Sequence, residues 1–198
     1  MEKLKREFYG RDTLEVAESL IGKVLVRKYE GNIIKSRIIE AEAYIGAIDK
    51  ASHCYRGQTE RNKVMFGLPG HTYVYLIYGM YYCLNVVTEN VGSGSGILLR
   101  SVEPLENAEL MSLNRYNKSV KDITRQQLRN LSNGPGKICM ALKITRNENG
   151  IDLTKNEIYI EDDGFLSYKV ERSKRINIDY AEEAKEFLWR FTLMSDML

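Results

Sequence analysis

An alternation of apolar and polar residues predicts a β-strand over residues 38–46. Because successive side chains of a strand point to opposite faces, one face carries Glu40, Glu42 and Tyr44. The other face carries only apolar residues: Ile39, Ala41, Ala43 and Ile45. The pattern leaves two interpretations open. Both glutamates could be solvated residues of a strand face, or one could be a general base or a nucleophile at a sugar carbon.

Aromatic and β-branched residues predict a hairpin over residues 72–85. Gly79 and Met80 fit a two-residue turn with glycine at its first central position. This register pairs Tyr78 with Tyr81 and places both of them, with Met80, at an exposed tip. Large apolar side chains at such a tip indicate a binding partner.

Helical and strand periodicities elsewhere interleave without a βαβ repeat. A helix is expected after Asp12, whose carboxylate suits an N-cap. The other predicted helices cover 106–116, 124–131 and a final segment from Asp179 to Trp189, and the other strands cover 23–29, 97–102, 158–161, 166–170 and 176–178. We therefore expect an α+β fold, with residues 1–198 forming a single domain. It would have a curved, mostly antiparallel sheet, surrounding helices and a protruding β-hairpin.

The connection over residues 46–70 is longer than most loops of a compact domain, and such loops are more often functional than decorative. It contains a cluster of basic residues, Arg56, Arg61 and Lys63. A second candidate anion site lies at Lys137, because Pro135 suits the first turn of a helix whose backbone N–H groups are free.

Arg100 interrupts an otherwise apolar predicted strand. A buried, unpaired guanidinium is costly, so Arg100 should meet a carboxylate, and Glu42 is the candidate partner. The pair alone does not distinguish a structural from a catalytic role.

Composition narrows the class of protein only slightly. The formal charge of +2 neither requires nor excludes a polyanionic partner. The three cysteines and two histidines lack the spacing of a zinc site or a disulfide framework, so we expect reduced thiols and no metal. No apolar run follows the amino-terminal residues and no apolar segment of 18 residues occurs, so we expect no signal peptide, no membrane span and a cytoplasmic protein. The thirteen tyrosines suggest stacking platforms for planar rings, although most of them should be core and sheet residues.

Several short motifs occur in a fixed order along the chain. They include Glu-Ala-Tyr at 42–44, Ala-Ser-His at 51–53, Thr-Glu-Arg-Asn at 59–62, the tyrosine-rich run at 73–81, Leu-Leu-Arg at 98–100 and Gly-Pro-Gly-Lys at 134–137. Each motif is weak alone. Together, over residues 8–191, the chain resembles the alkyladenine (3-methyladenine) DNA glycosylase family.

The resemblance implies a base-excision-repair enzyme that flips damaged purines out of duplex DNA and hydrolyses the N-glycosidic bond, leaving an abasic site. Its implied substrates are 3-methyladenine, 7-methylguanine, hypoxanthine and ethenoadenine. The enzyme would be monofunctional, without lyase activity. It would be a monomer without cofactor or membrane partner, acting on double-stranded DNA in the cytoplasm, and associated with the nucleoid in a prokaryote.

The resemblance also assigns roles to residues. Glu42 would activate the attacking water with help from Arg100. The pocket for the flipped base would be formed by Tyr44, His53, Tyr75, Asn85 and Leu98, with Asn85 discriminating against the amino group of guanine. Tyr78 and Met80 would intercalate into the duplex. Phosphate contacts would come from Arg56, Arg61, Lys63 and Lys137.

Two other classes of protein compete with this interpretation. A non-catalytic module that binds damaged DNA would keep the pocket without turnover, but stacking and phosphate contacts would not require Glu42 and Arg100. A small-molecule hydrolase using Glu42 would leave the exposed hairpin tip unexplained.

Overall fold

The computed structural model describes residues 1–166 and 168–194. Its strands are β1 (Glu2–Lys3), β2 (Val24–Tyr29), β3 (Asn32–Tyr44), β4 (Thr72–Ile77), β5 (Tyr81–Thr88), β6 (Ser95–Glu106), β7 (Ile158–Asp162), β8 (Lys169–Ser173) and β9 (Arg190–Met194). Within the described ranges these strands form one nine-stranded sheet in the order β1-β7-β2-β3-β6-β5-β4, and β9 pairs with both β3 and β8. All of these pairings are antiparallel. The predicted α+β class with a mostly antiparallel sheet is confirmed.

β3 is the strand on which the sheet is centred. One of its edges pairs with β6 over most of its length. Its other edge pairs first with β2 and then, over residues 40–42, with β9. The carboxylate-bearing part of the chain is therefore held on both sides by backbone hydrogen bonds.

The face that β3 presents to the core changes along the strand. Ile34 and Ile38 point into the core, and further along Ala41 and Ala43 do so. The alternation of core-facing residues along β3 shifts by one residue because the pairing with β6 is irregular between Ile38 and Ala41. A register slip of one residue exchanges the two faces of a strand. The sequence-based assignment of Ile39 to the apolar face is therefore wrong: Ile39 lies outside the core cluster.

β6 changes phase at the matching position. Leu99 and Val102 are both core residues. Strict alternation would point them to opposite faces of the sheet, so the shift occurs at the two residues between them. Arg100 is skipped in the pairing register and is partly buried. Its side chain reaches the carboxylates of β3 instead of the core.

The described part of the chain contains five α-helices: α1 (Arg6–Tyr9), α2 (Thr13–Leu20), α3 (Ala108–Tyr116), α4 (Arg125–Arg129) and α5 (Pro135–Ala141). Asp12 caps α2 as predicted, because its carboxylate accepts hydrogen bonds from the backbone N–H groups of Leu14 (2.8 Å) and Glu15 (3.2 Å). α2 packs on β3, and α5 packs on β5 and β6. No helix in the described part of the chain is both long and apolar enough to cross a membrane.

The β4–β5 hairpin forms, but its predicted register is wrong by one residue. Ile77 pairs with Tyr81, so the loop contains three residues, 78–80. Tyr78 and Gly79 both adopt positive φ angles of 54° and 70°. The sequence predicts Gly79 at the first position of the turn. In the structure Tyr78 occupies that position, although a tyrosine seldom adopts a positive φ angle.

The predicted strand over residues 176–178 and the predicted final helix are also wrong. Instead, a short 3₁₀ turn at Glu182–Glu186 leads into β9. β9 pairs with β3, more than a hundred residues earlier in the chain, and such long-range pairing overrides local helical propensity.

Candidate functional site

A cavity of about 240 Å³ opens at the base of the β4–β5 hairpin. Strands β3 to β6 form one side, and the connection after β3 and the segment before β9 complete the wall. The cavity brings together seven residues that the sequence singled out: Tyr44, His53, Tyr75, Tyr78, Asn85, Leu98 and Arg100. Its size is slightly below the range of about 300–1,000 Å³ typical of pockets for drug-sized ligands.

The register of the sheet explains why these residues meet. Glu42 of β3 lies opposite Leu98 of β6, Leu98 lies opposite Asn85 of β5, and Asn85 lies opposite Tyr73 of β4. Directly opposed residues point to the same face. This row of side chains runs across four strands, and three of its members, Leu98, Asn85 and Tyr73, line the cavity.

Glu42 lies immediately behind the cavity wall, and its side chain has no exposed surface. Its Oε2 accepts hydrogen bonds from the Tyr44 hydroxyl (2.8 Å) and from Arg100 Nη1 (3.2 Å). Its Oε1 accepts one from the backbone N–H of Ile176 (2.8 Å). The interpretation of Glu42 as a solvated strand residue is therefore wrong, and the predicted pair with Arg100 is confirmed.

A second carboxylate shares the same arginine. Glu40 Oε1 accepts from Arg100 Nε (3.2 Å) and from Arg190 Nε (2.6 Å). Arg100 therefore bridges both strand carboxylates, and Arg190 adds a second positive charge. The charge-assisted pairs fix the guanidinium of Arg100 at the cavity surface.

Aromatic rings form the opposite wall. The ring centroids of His53 and Tyr75 are 4.5 Å apart, and those of Tyr73 and Tyr75 are 5.4 Å apart in a stacked arrangement. His53 Nδ1 lies 3.3 Å from the Tyr73 hydroxyl. Burial raises the pKa of Tyr75 above its ordinary value and that of Tyr73 to about 12, so both phenols stay neutral.

Tyr44 is a partly buried residue of the wall. Burial, followed by the Glu42 charge, raises its pKa well above the ordinary value, so it stays protonated and donates to Glu42. Asn85 is held in place by a hydrogen bond from its side-chain nitrogen to the backbone carbonyl of Tyr73 (3.1 Å).

The hairpin tip is exposed, as predicted. Tyr78 is 75% exposed and Met80 is 66% exposed. Tyr78 also lines the cavity, whereas Met80 does not. An exposed apolar tip therefore lies beside an aromatic-walled cavity.

Comparison with known proteins decides the family. A family model described as methylpurine-DNA glycosylase (MPG) matches residues 7–197. The chain belongs to this family.

Similar proteins occur in several bacteria. A protein of Alkaliphilus oremlandii is 53% identical over 190 residues, covering 96% of this chain and 94% of its own length. One from Clostridium perfringens is 52% identical over 193 residues, with the same two coverages. A third, from Desulfitobacterium hafniense, is 48% identical over 194 residues, covering 98% of this chain and 96% of its own. All three bear the name "Putative 3-methyladenine DNA glycosylase". The resemblance inferred from the motifs is thus confirmed.

In this methylpurine-DNA glycosylase family member, the predicted basic residues occupy different environments. Arg56 is exposed. Arg61 lies near the hairpin, 5.7 Å from the ring centre of Tyr75. Lys63 forms an exposed ion pair with Glu60 (2.9 Å). Lys137 donates to two asparagine side chains at the start of α5. Of these four, Arg61 is the one whose guanidinium lies over an aromatic ring of the cavity wall.

Sequence reasoning missed several residues of the site. Arg175, Ile176 and Tyr180 belong to the segment for which only a strand and a helix were predicted. Arg175 forms a fully buried ion pair with Asp49, and Ile176 and Tyr180 line the cavity. No local pattern marks them, because their role depends on where β9 places the segment.

His53 is expected to be neutral at neutral pH. Although it keeps an exposed surface, desolvation of its ring, followed by the charge of Arg61, lowers its pKa below the ordinary 6.5. Lowering the pKa means that the imidazole gains its proton only when the pH falls below that value. An NMR titration should therefore give a midpoint for His53 below 6.5.

His53→Gln would identify the resonance, since His71 is the other histidine. Arg61→Gln should move the midpoint upward, because it removes the positive charge that contributes to the lowered pKa of His53. A midpoint at or above 6.5 in the unmodified protein would contradict the expectation.

Proposed function

We propose that this chain is a monofunctional DNA glycosylase of base-excision repair. It would flip alkylated or deaminated purines from duplex DNA and hydrolyse their N-glycosidic bond. The proposed substrates are 3-methyladenine, 7-methylguanine, hypoxanthine and ethenoadenine. The observation that carries the proposal is the hydrogen-bonded carboxylate of Glu42, fixed behind an aromatic cavity at the foot of an exposed apolar hairpin.

The hairpin tip supports the base-flipping part of the proposal. A base must leave the helical stack before chemistry, which costs a few kcal/mol and costs least for damaged or mismatched bases. Apolar side chains inserted from the minor groove offset this cost. Tyr78 and Met80 are exposed at the tip, and Tyr78 also lines the cavity, so we assign the wedge to these two residues.

The cavity walls support recognition of a planar, positively charged base. An N-alkylated purine is a cation, and aromatic faces attract cations. Tyr44, His53 and Tyr75 would stack against it, with the neutral imidazole of His53 adding no repulsive charge. Asn85 and Leu98 would contact the base edge from the sheet floor.

The hydrogen bonds of Glu42 suggest where the attacking water binds. A carboxylate oxygen accepts about two hydrogen bonds. Oε2 already accepts two, from Tyr44 and Arg100, while Oε1 accepts one, from Ile176. We therefore infer that Oε1 is the oxygen that accepts a hydrogen bond from the attacking water. Glu42 would take its proton as it attacks C1′ of an oxocarbenium-like sugar, in a single displacement.

The remaining assignments concern the duplex. Arg56, Arg61, Lys63 and Lys137 would contact phosphates, which predicts binding that weakens as salt rises. Hydrolysis by water leaves an abasic site and an unbroken strand, so no lyase step is proposed. A non-catalytic damage-binding module is the second candidate function, and it would make the Glu42–Arg100 pair structural.

Glu42→Gln should separate binding from chemistry. The substitution keeps the shape of the side chain but removes the base, so single-turnover excision should fall by at least ~100-fold, while binding to a damaged duplex stays nearly unchanged. Glu103→Gln is a matched control, because Glu103 is an exposed residue of β6 and should retain full activity. Full activity of Glu42→Gln would remove Glu42 from the mechanism.

Tyr78→Ala should weaken capture of the flipped base. The loss should be larger for a well-paired lesion than for the same lesion in a mismatch, because the wedge compensates for stacking and pairing that the mismatch has already lost. Tyr78→Phe keeps the ring and should behave like the unmodified protein. Binding and excision measured on both duplexes would show equal losses if Tyr78 were not the wedge.

A further inference from the structure

Arg175 is a fully buried arginine that the proposed chemistry does not use. Its two terminal nitrogens bind both oxygens of Asp49, at 2.5 and 2.8 Å, and neither side chain has exposed surface. They also donate to the backbone carbonyls of Ala43 (2.9 Å) and Ala184 (3.2 Å). One guanidinium thus joins the end of β3, the connection that follows it and the 3₁₀ turn before β9.

This arginine lies beside two of the three donors that hold Glu42. Its guanidinium carbon is 4.6 Å from the centre of the Tyr44 ring, and the hydroxyl of that ring donates to Glu42 Oε2. Its neighbour in the chain, Ile176, donates its backbone N–H to Oε1. The third donor, Arg100, comes from β6 and is independent of it.

We propose that Arg175 is a positioning residue for Glu42. Bound to Asp49, it braces the ring of Tyr44 from behind and fixes the backbone of Ile176. Together these two contacts orient the carboxylate of Glu42 through both of its oxygens. Arg175 does not line the cavity, so it would act on the reaction only through these neighbours. The inference rests on the proposed function, in which Oε1 binds the water.

The geometry explains why an arginine is needed. A guanidinium is planar, binds a carboxylate through two parallel bonds and stacks on an aromatic face, whereas an ammonium is a point charge without a plane. Arg175→Lys therefore keeps the charge opposite Asp49 but loses the brace behind Tyr44. A displacement of a catalytic group by about 1 Å can lower a rate about 100-fold.

Arg27 provides a matched control. It is another buried arginine, with 2% of its side chain exposed, and it pairs with Glu148 and Glu157, each at 2.8 Å. It lies on β2 and does not line the cavity. Arg27→Lys makes the same chemical change in a similar environment, so it reports what the loss of a buried arginine does to stability alone.

The test is single-turnover release of 7-methylguanine from a duplex, together with binding to a duplex containing an abasic analogue. Arg175→Lys should lower the single-turnover rate constant about 10- to 100-fold and leave duplex binding within about threefold. Arg27→Lys should keep the rate of the unmodified protein, even if its melting temperature falls. A purely structural role for Arg175 predicts that both variants behave alike.

The decisive measurement is the double variant with Glu42→Gln. If Arg175 acts through Glu42, adding Arg175→Lys to Glu42→Gln should cost little further rate, because groups that act as a unit are not additive. If the double variant instead shows the product of the two rate losses measured in the single variants, the proposal is overturned. So would an Arg175→Lys variant that excises at the normal rate, or one whose loss lies wholly in duplex binding.

Asp49→Asn is a second variant for the case in which Arg175→Lys does not fold. It removes the negative charge of Asp49 and one of the two acceptors for Arg175, while the arginine itself is retained. We expect the same loss in the single-turnover rate constant and the same non-additivity with Glu42→Gln. If the unmodified protein binds the lesion duplex and releases no base, the proposed function itself fails. Release by the unmodified protein with additive losses in the variants overturns only the role of Arg175.

Discussion

The structure of the site depends on keeping the carboxylate of Glu42 without exposed surface. Withdrawing an ionised carboxylate from water costs several kcal/mol unless hydrogen bonds and opposite charges compensate. Here a phenol, a guanidinium and a backbone N–H supply them. These donors come from positions 44, 100 and 176, so the carboxylate is satisfied only when the sheet and the segment before β9 are assembled. Folding and the construction of the site are therefore the same event in this part of the chain.

The matching irregularities of β3 and β6 show how the sheet makes room for these charges. Both strands shift the phase of their core-facing residues at the same level. With strict alternation, every second residue along the whole of each strand would face the core. The shift instead lets Arg100 reach Glu40 and Glu42. Three carboxylates and three arginines form ion pairs in this part of the structure: Glu40, Glu42, Asp49, Arg100, Arg175 and Arg190. Their formal charges balance.

The sequence predicted those features whose causes are local. Asp12 as a cap follows from the residues around it, and the pairing of Arg100 with Glu42 follows from the cost of burying an unpaired charge. The features it failed to predict have distant causes. The phase shift at Ile39 requires two strands to be compared, and the positive φ of Tyr78 is imposed by the hairpin as a whole. β9 forms because β3 offers an edge, and Arg175 lies in a polar segment whose residues gain their role only from that pairing.

The measurement that tests the account most directly is incubation of the unmodified protein with a duplex containing 7-methylguanine, followed by analysis of the free base and of strand breaks before and after alkali. The account predicts release of the base and an unbroken strand that alkali then cleaves at the abasic site. Binding without release would contradict it and would make the Glu42–Arg100 pair structural. Strand breaks before alkali would contradict the hydrolysis of the glycosidic bond by water alone.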